Sequence, residues 1–153
     1  MGTSGLAPRI ISTVVMAPVA AGAVLLGAPY FVALVALASA ILAWEWDCLC
    51  SAGRFGRTGW LLLAVVLAGV LAASLGQWLA AVLITALGAL LVYGAGKAWG
   101  AGNGLWRAAG ALYVGIPSTA LLWLRGDSGA YAVLWLFLVV WATDIGAYAC
   151  GRL

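Results

Sequence analysis

The chain has 153 residues, of which 67% are hydrophobic and 7% charged, with a formal net charge of +3 and a mean hydropathy of +1.17. Ordinary soluble domains are about 45–50% apolar and about 25% charged, and a domain of this size leaves much of its surface in water, so a soluble fold is excluded. The basic residues are scattered, which excludes a nucleic-acid-binding stripe. The cysteines are odd in number, Cys48 and Cys50 close together and Cys150 distant, in a chain without His, which excludes a disulfide framework or a metal finger.

The charges divide what remains. Residues 10–44 carry none, and neither do residues 58–96. One membrane span needs about 20 apolar residues, so each run predicts a hairpin of two spans. Gly27-Ala28-Pro29 breaks the first run and Gly76-Gln77-Trp78 the second, because Gly favours a helix end and Pro cannot continue one. Two further spans follow, one between Arg107 and Arg125 and one after Asp127. The expected helices are 10–26, 29–47, 59–75, 78–96, 107–124 and 129–150. Pro117 should kink or locally break the fifth. No polar-apolar alternation suggests a membrane barrel. The first run reads as a span rather than a signal peptide, since a single Arg precedes it and another span follows directly. The fold class is all-α, a polytopic transmembrane bundle of about six helices, forming one integral-membrane domain over residues 1–153.

Alternation puts Arg9, Arg54, Arg57, Lys97, Arg107 and Arg152 on one side of the membrane, and only Arg125, beside Asp127, on the other. The positive-inside rule then places both termini in the cytoplasm. Trp44, Trp46, Trp60, Trp78 and Trp123 fall near predicted span ends, as interfacial anchors do. Trp135 and Trp141 lie deeper and read as core padding. Arg9, Arg54 and Arg57 set topology and meet anionic headgroups.

Three stretches could carry chemistry. The Gly-rich segment from Gly94 to Gly104 contains Gly96-Lys97, an echo of a P-loop. No Ser or Thr follows Lys97 and no strand precedes it, so the P-loop parts are missing. Lys97 and Arg107 could still attract phosphates by charge. The second stretch is the sixth span, where Asp144 stands inside an apolar run. An intramembrane carboxylate costs roughly 2.5–3.5 kcal/mol on insertion scales and is usually kept for a task. Trp141, Asp144 and Tyr148 share one helical face, and Arg152 extends it roughly 12 Å beyond Asp144. Gly146 and Gly151 let another helix or a headgroup approach. The third is Trp44-Glu45-Trp46-Asp47, which ends the second span on the same side. Glu45 and Asp144 together could hold a divalent cation through oxygen ligands.

These residues resemble a known family. Trp141-Ala142-Thr143-Asp144-x-Gly146-Ala147-Tyr148-x-x-Gly151-Arg152 resembles the central motif of bacterial phosphatidate cytidylyltransferases, the CDP-diacylglycerol synthases. Arg9-Ile10-Ile11-Ser12, Trp44-Glu45-Trp46 and Tyr113-Val114-Gly115-Ile116-Pro117 resemble that family in the same order. The resemblance implies transfer of CMP from CTP to phosphatidate, giving CDP-diacylglycerol and pyrophosphate for phospholipid biosynthesis in the bacterial inner membrane. Such a transfer needs cations that neutralise phosphate charge and hold the reactants in line. The resemblance implies Mg²⁺ as cofactor and carries over Asp144 alone as an active-site acid, which would also ligate the metal. Glu45 as a second metal ligand and Lys97 and Arg107 as substrate-binding residues rest on the charge reading above, and Arg152, which closes the motif, joins them as a substrate-binding residue. Partners are CTP, phosphatidate and membrane lipids, with a homodimer as a further candidate. Family members also carry a Lys- and Asp-rich signature that this sequence lacks, so the chain is expected to be catalytically incomplete by itself. A small transporter using Asp144 as an ion site and a non-catalytic membrane scaffold are the alternatives.

Overall fold

The structure is a computed structural model that describes residues 6–151, and their side chains from Met16 onward except those of Tyr148 and Ala149. Six helices follow one another: α1 (Leu6–Leu26), α2 (Ala28–Cys50), α3 (Arg57–Ser74), α4 (Trp78–Ala98), α5 (Gly104–Asp127) and α6 (Gly129–Cys150). α2, α3, α4 and α6 are each long and apolar enough to cross a membrane, and this is an integral membrane protein.

The junctions use the expected breakers. Gly27 turns with φ of 102° and Pro29 opens the first turn of α2, where its missing N–H costs nothing. α3 ends at Gly76, φ 75°. The Gly76 N–H donates to the Ala73 carbonyl and the Gln77 N–H to the Ala72 carbonyl, each at 3.0 Å. This is a Schellman cap, satisfying carbonyls that the helix leaves open. α4 ends in the same way: Gly100 has φ 65°, and the Ala101 N–H donates to the Gly96 carbonyl at 2.8 Å. α5 is not broken by Pro117; it stays helical through that residue.

α3, α4 and α5 form the centre. α2 packs on α3 and α5, while α1 and α6 lie on the outside, α6 against α5 and α1. The core has two apolar parts. Phe31, Val35, Val70, Ala81 and Leu122 pack at one end; Ala43, Leu62, Val66, Val92 and Ala111 pack at the other. Buried Ser39, Thr85, Ser118 and Thr119 occupy intermediate positions along α2, α4 and α5. Ser39 and Ser118 hydroxyls lie 2.7 Å apart, and each is also within donating distance of a carbonyl of its own helix, Ser39 of Val35 at 2.6 Å and Ser118 of Val114 at 2.7 Å. Each hydroxyl has one proton, so the one that donates across gives up the bond to its own helix. Interhelical bonds of this kind are worth about 0.6 kcal/mol in membrane proteins, because the unfolded chain also finds partners. Ser39→Ala is accordingly expected to lower unfolding stability by less than about 1 kcal/mol in a detergent unfolding titration.

The second half of α6 stands apart. Val133 is fully buried, and Ala130, Leu134 and Phe137 pack on the core, but residues 138–147 are all exposed. Trp135 and Trp141 were expected as core padding. Trp135 is 67% exposed and Trp141 touches Phe137 at a ring-centroid distance of 5.8 Å. Both sit on a helix with one packed side, so their rings have no interior to fill.

Candidate functional site

The most developed polar constellation lies where α2 ends and α5 begins. Phe31, Val35, Ser39, Ala43 and Asp47 form the buried stripe of α2. They recur every four residues, which keeps them on one helical face. The stripe carries Asp47 into the interior, where it is 0% exposed. On α5 a similar stripe carries Arg107, 6% exposed, inward above Ala111, Val114 and Ser118. The two meet: Arg107 Nε is 3.5 Å from Asp47 Oδ1.

Further bonds enclose the pair. The Gly56 N–H donates to Asp47 Oδ2 at 3.0 Å. The Arg107 Nη1 donates to the Thr58 hydroxyl and Nη2 to the Ser51 hydroxyl, while Ser51 in turn donates to the Asp47 carbonyl at 2.6 Å. A buried charge is tolerated only when paired and hydrogen-bonded; here the charges are paired and each group is bonded through its other atoms, while Asp47 Oδ1 and Arg107 Nε face each other without a hydrogen bond. The loop after α2 is thereby tied to the start of α5. Asn103 Nδ2 adds a second tie by donating to the Cys50 carbonyl at 3.1 Å. Gly59 is needed for the fit, because a Cβ there would strike Asp47 Oδ2.

Arg107 was expected to face the loops and attract phosphates; it is buried and its guanidinium is engaged by Asp47, Thr58 and Ser51. Lys97, in the last turn of α4, is exposed, with its ammonium 4.8 Å from the Tyr93 ring centroid. The Gly-rich segment is a helix end and a turn: Gly94 and Gly96 belong to α4, and Gly100 caps it. Glu45 is exposed on α2, and Asp144 is exposed on the free half of α6. Arg152 lies outside the described residues. Among the described residues, no three His, Cys, Asp or Glu groups converge to hold a metal ion. Glu45 and Asp144 thus belong to no such group of three. Asp47 was missed as a site residue, although its place on the four-residue stripe was readable.

Comparison with known proteins decides the family. The model of the cytidylyltransferase family matches residues 7–153. The chain belongs to the cytidylyltransferase family. Curated relatives named phosphatidate cytidylyltransferase, from Brucella suis biovar 1 (strain 1330) and Brucella abortus (strain 2308), are each 34% identical in an alignment that covers 97% of this chain and 55% of the relative. The chain thus spans about half the length of the curated relatives it matches. No solved structure matches it. Within this cytidylyltransferase chain, the Trp-Ala-Thr-Asp motif occupies the exposed half of α6, and Thr143 returns its hydroxyl to the Val139 carbonyl.

Proposed function

We propose that this chain is an integral-membrane portion of a phosphatidate cytidylyltransferase, which transfers CMP from CTP to phosphatidate and yields CDP-diacylglycerol and pyrophosphate. The observation that carries the proposal is the match of nearly the whole chain to relatives of that name. The chemistry of the chain agrees with it. An integral membrane protein can take a lipid substrate from the bilayer, and Asp144 gives α6 an acidic group that no described residue neutralises. An intramembrane carboxylate without a structural partner is expected to serve a site.

In this reading both termini face the cytoplasm of a bacterial inner membrane, so that cytosolic CTP and membrane-borne phosphatidate meet at the basic side. Asp144 is the acidic group contributed by α6, Lys97 and Arg152 supply charge that attracts the triphosphate, and Arg107 positions the loops through Asp47. Mg²⁺ is the expected cofactor. It would neutralise phosphate charge, and Asp144 and Glu45 can each offer it a carboxylate.

A chimera tests the proposal. Residues 7–153 replace the matched portion of the Brucella suis relative, and CTP-dependent formation of CDP-diacylglycerol is followed in membranes of the expressing cells. The chimera is expected to be active, and Asp144→Asn to lower its rate about a hundredfold or more, the loss typical when a group acting on transition-state charge is removed. A folded chimera that forms no product, or full activity in the Asn variant, would refute the reading.

A further inference from the structure

An open groove of about 320 Å³ lies beside the Asp47–Arg107 pair, lined by Trp46, Leu49, Cys50, Asn103 and Trp106. Its floor is fixed. The Trp46 indole N–H donates to the Trp106 carbonyl at 2.8 Å, and its ring stacks on Tyr113 at 5.1 Å between centroids. Gly110 makes room for this, because a Cβ there would strike the Trp46 ring.

The rim has the wrong polarity for water. Leu49 is 82% exposed and Trp106 65% exposed, at helix ends where polar side chains are expected. The apolar surface also continues toward the bilayer. Leu49 and Leu42 lie on one side of α2, and Trp106, Tyr113 and Ile116 on one side of α5; all are exposed, and the Trp46–Tyr113 stack joins the two faces. The flanking segments are basic: Arg54 and Arg57 follow α2, and Lys97 precedes Asn103, all of them exposed. The acids at this end are Asp47, already neutralised by Arg107, and Glu45. The surroundings therefore favour an anion.

We propose that this groove binds one anionic phospholipid of the surrounding leaflet, selected by charge rather than by headgroup identity. The phosphate and glycerol lie in the groove near Asn103, and the acyl chains run down the apolar flank of α2 and α5. The volume suits a headgroup with its glycerol, and basic residues at a membrane surface each favour anionic lipid. The site shares Lys97 with the charge proposed to attract CTP but needs neither Asp144 nor turnover, so an inactive chimera leaves it standing.

Native mass spectrometry of the delipidated 153-residue chain in neutral detergent tests it, with phosphatidylglycerol, phosphatidate and phosphatidylcholine as probes. The expected result is a single retained lipid, with both anionic lipids held about tenfold more strongly than phosphatidylcholine, as two or three surface basic residues would provide. Trp106→Ala is expected to abolish the adduct. Arg54→Gln combined with Lys97→Gln, at two exposed positions where folding is not at stake, is expected to erase the preference for anionic lipid. Equal retention of phosphatidylcholine, retention of phosphatidate alone, or wild-type adducts in both variants would overturn the proposal.

Discussion

Replacing Asp47 by Ala is expected to destabilise the protein by about 3–5 kcal/mol, the cost of leaving a buried charge without its partner. Arg107 would lose its counterion and retain only two hydroxyl acceptors, Thr58 and Ser51. The Gly56 N–H would lose its acceptor as well. Reversible unfolding in mixed detergent gives the measurement. The double variant Asp47→Leu with Arg107→Met provides the control, because a buried pair replaced by apolar groups of similar volume is often no less stable. Recovery of most of the loss in the double variant would show that the single variant suffers from an orphaned charge. An unchanged unfolding midpoint for Asp47→Ala would show that the pair contributes nothing.

Gly88→Ala is the second large effect expected. A Cβ on Gly88 would coincide with the Val65 side chain, with Val65 Cγ2 at 2.8 Å and Val65 Cβ at 3.0 Å. Val is β-branched and stiff at χ1, and its Cβ is fixed to α3, so the clash cannot be relieved by swinging a flexible chain end. α3 and α4 must separate, and overpacking of this kind costs about 1–3 kcal/mol. Adding Val65→Ala removes the obstructing methyls. The double variant should then lose less than the sum of the two single losses, a coupling that a double-mutant cycle in the same unfolding assay measures. Strict additivity would show that the two residues do not press on each other.

Much of the fold was legible because its signals are local. The charge-free runs and the Gly-Ala-Pro and Gly-Gln-Trp breaks predicted two hairpins, and α1 to α4 begin and end within a few residues of the expected positions. Which side of each helix faces the interior was less legible. Leu, Val and Trp suit lipid as well as they suit a core, so apolar content could not tell Trp135, which is exposed, from Phe31, which is buried. The better guide is small and polar residues, since a Ser, Thr or Asp facing lipid is costly. Ser39, Thr85, Ser118 and Asp47 all turned inward. Arg107 was placed by counting it among loop charges; its partner sixty positions earlier is a tertiary fact that no local pattern carries. The motif on α6 was recognised by resemblance, and its surroundings could not be derived from its residues, because residues 138–147 make so few contacts within the described structure.

The Asp47–Arg107 pair also imposes an order on biogenesis. Asp47 precedes Arg107 by sixty residues, so at ordinary synthesis rates it emerges about 3–12 s earlier. Through that interval the carboxylate has only the Gly56 amide and water at the membrane surface. The α3–α4 hairpin must be threaded before the guanidinium can arrive, and α5 then inserts its positive end between helices already in place. Closure of the pair therefore waits for α5: a nascent chain arrested before Arg107 is expected to hold the loop after α2 only by the Gly56 and Ser51 bonds to Asp47, and one arrested after α5 to have it locked by the guanidinium as well.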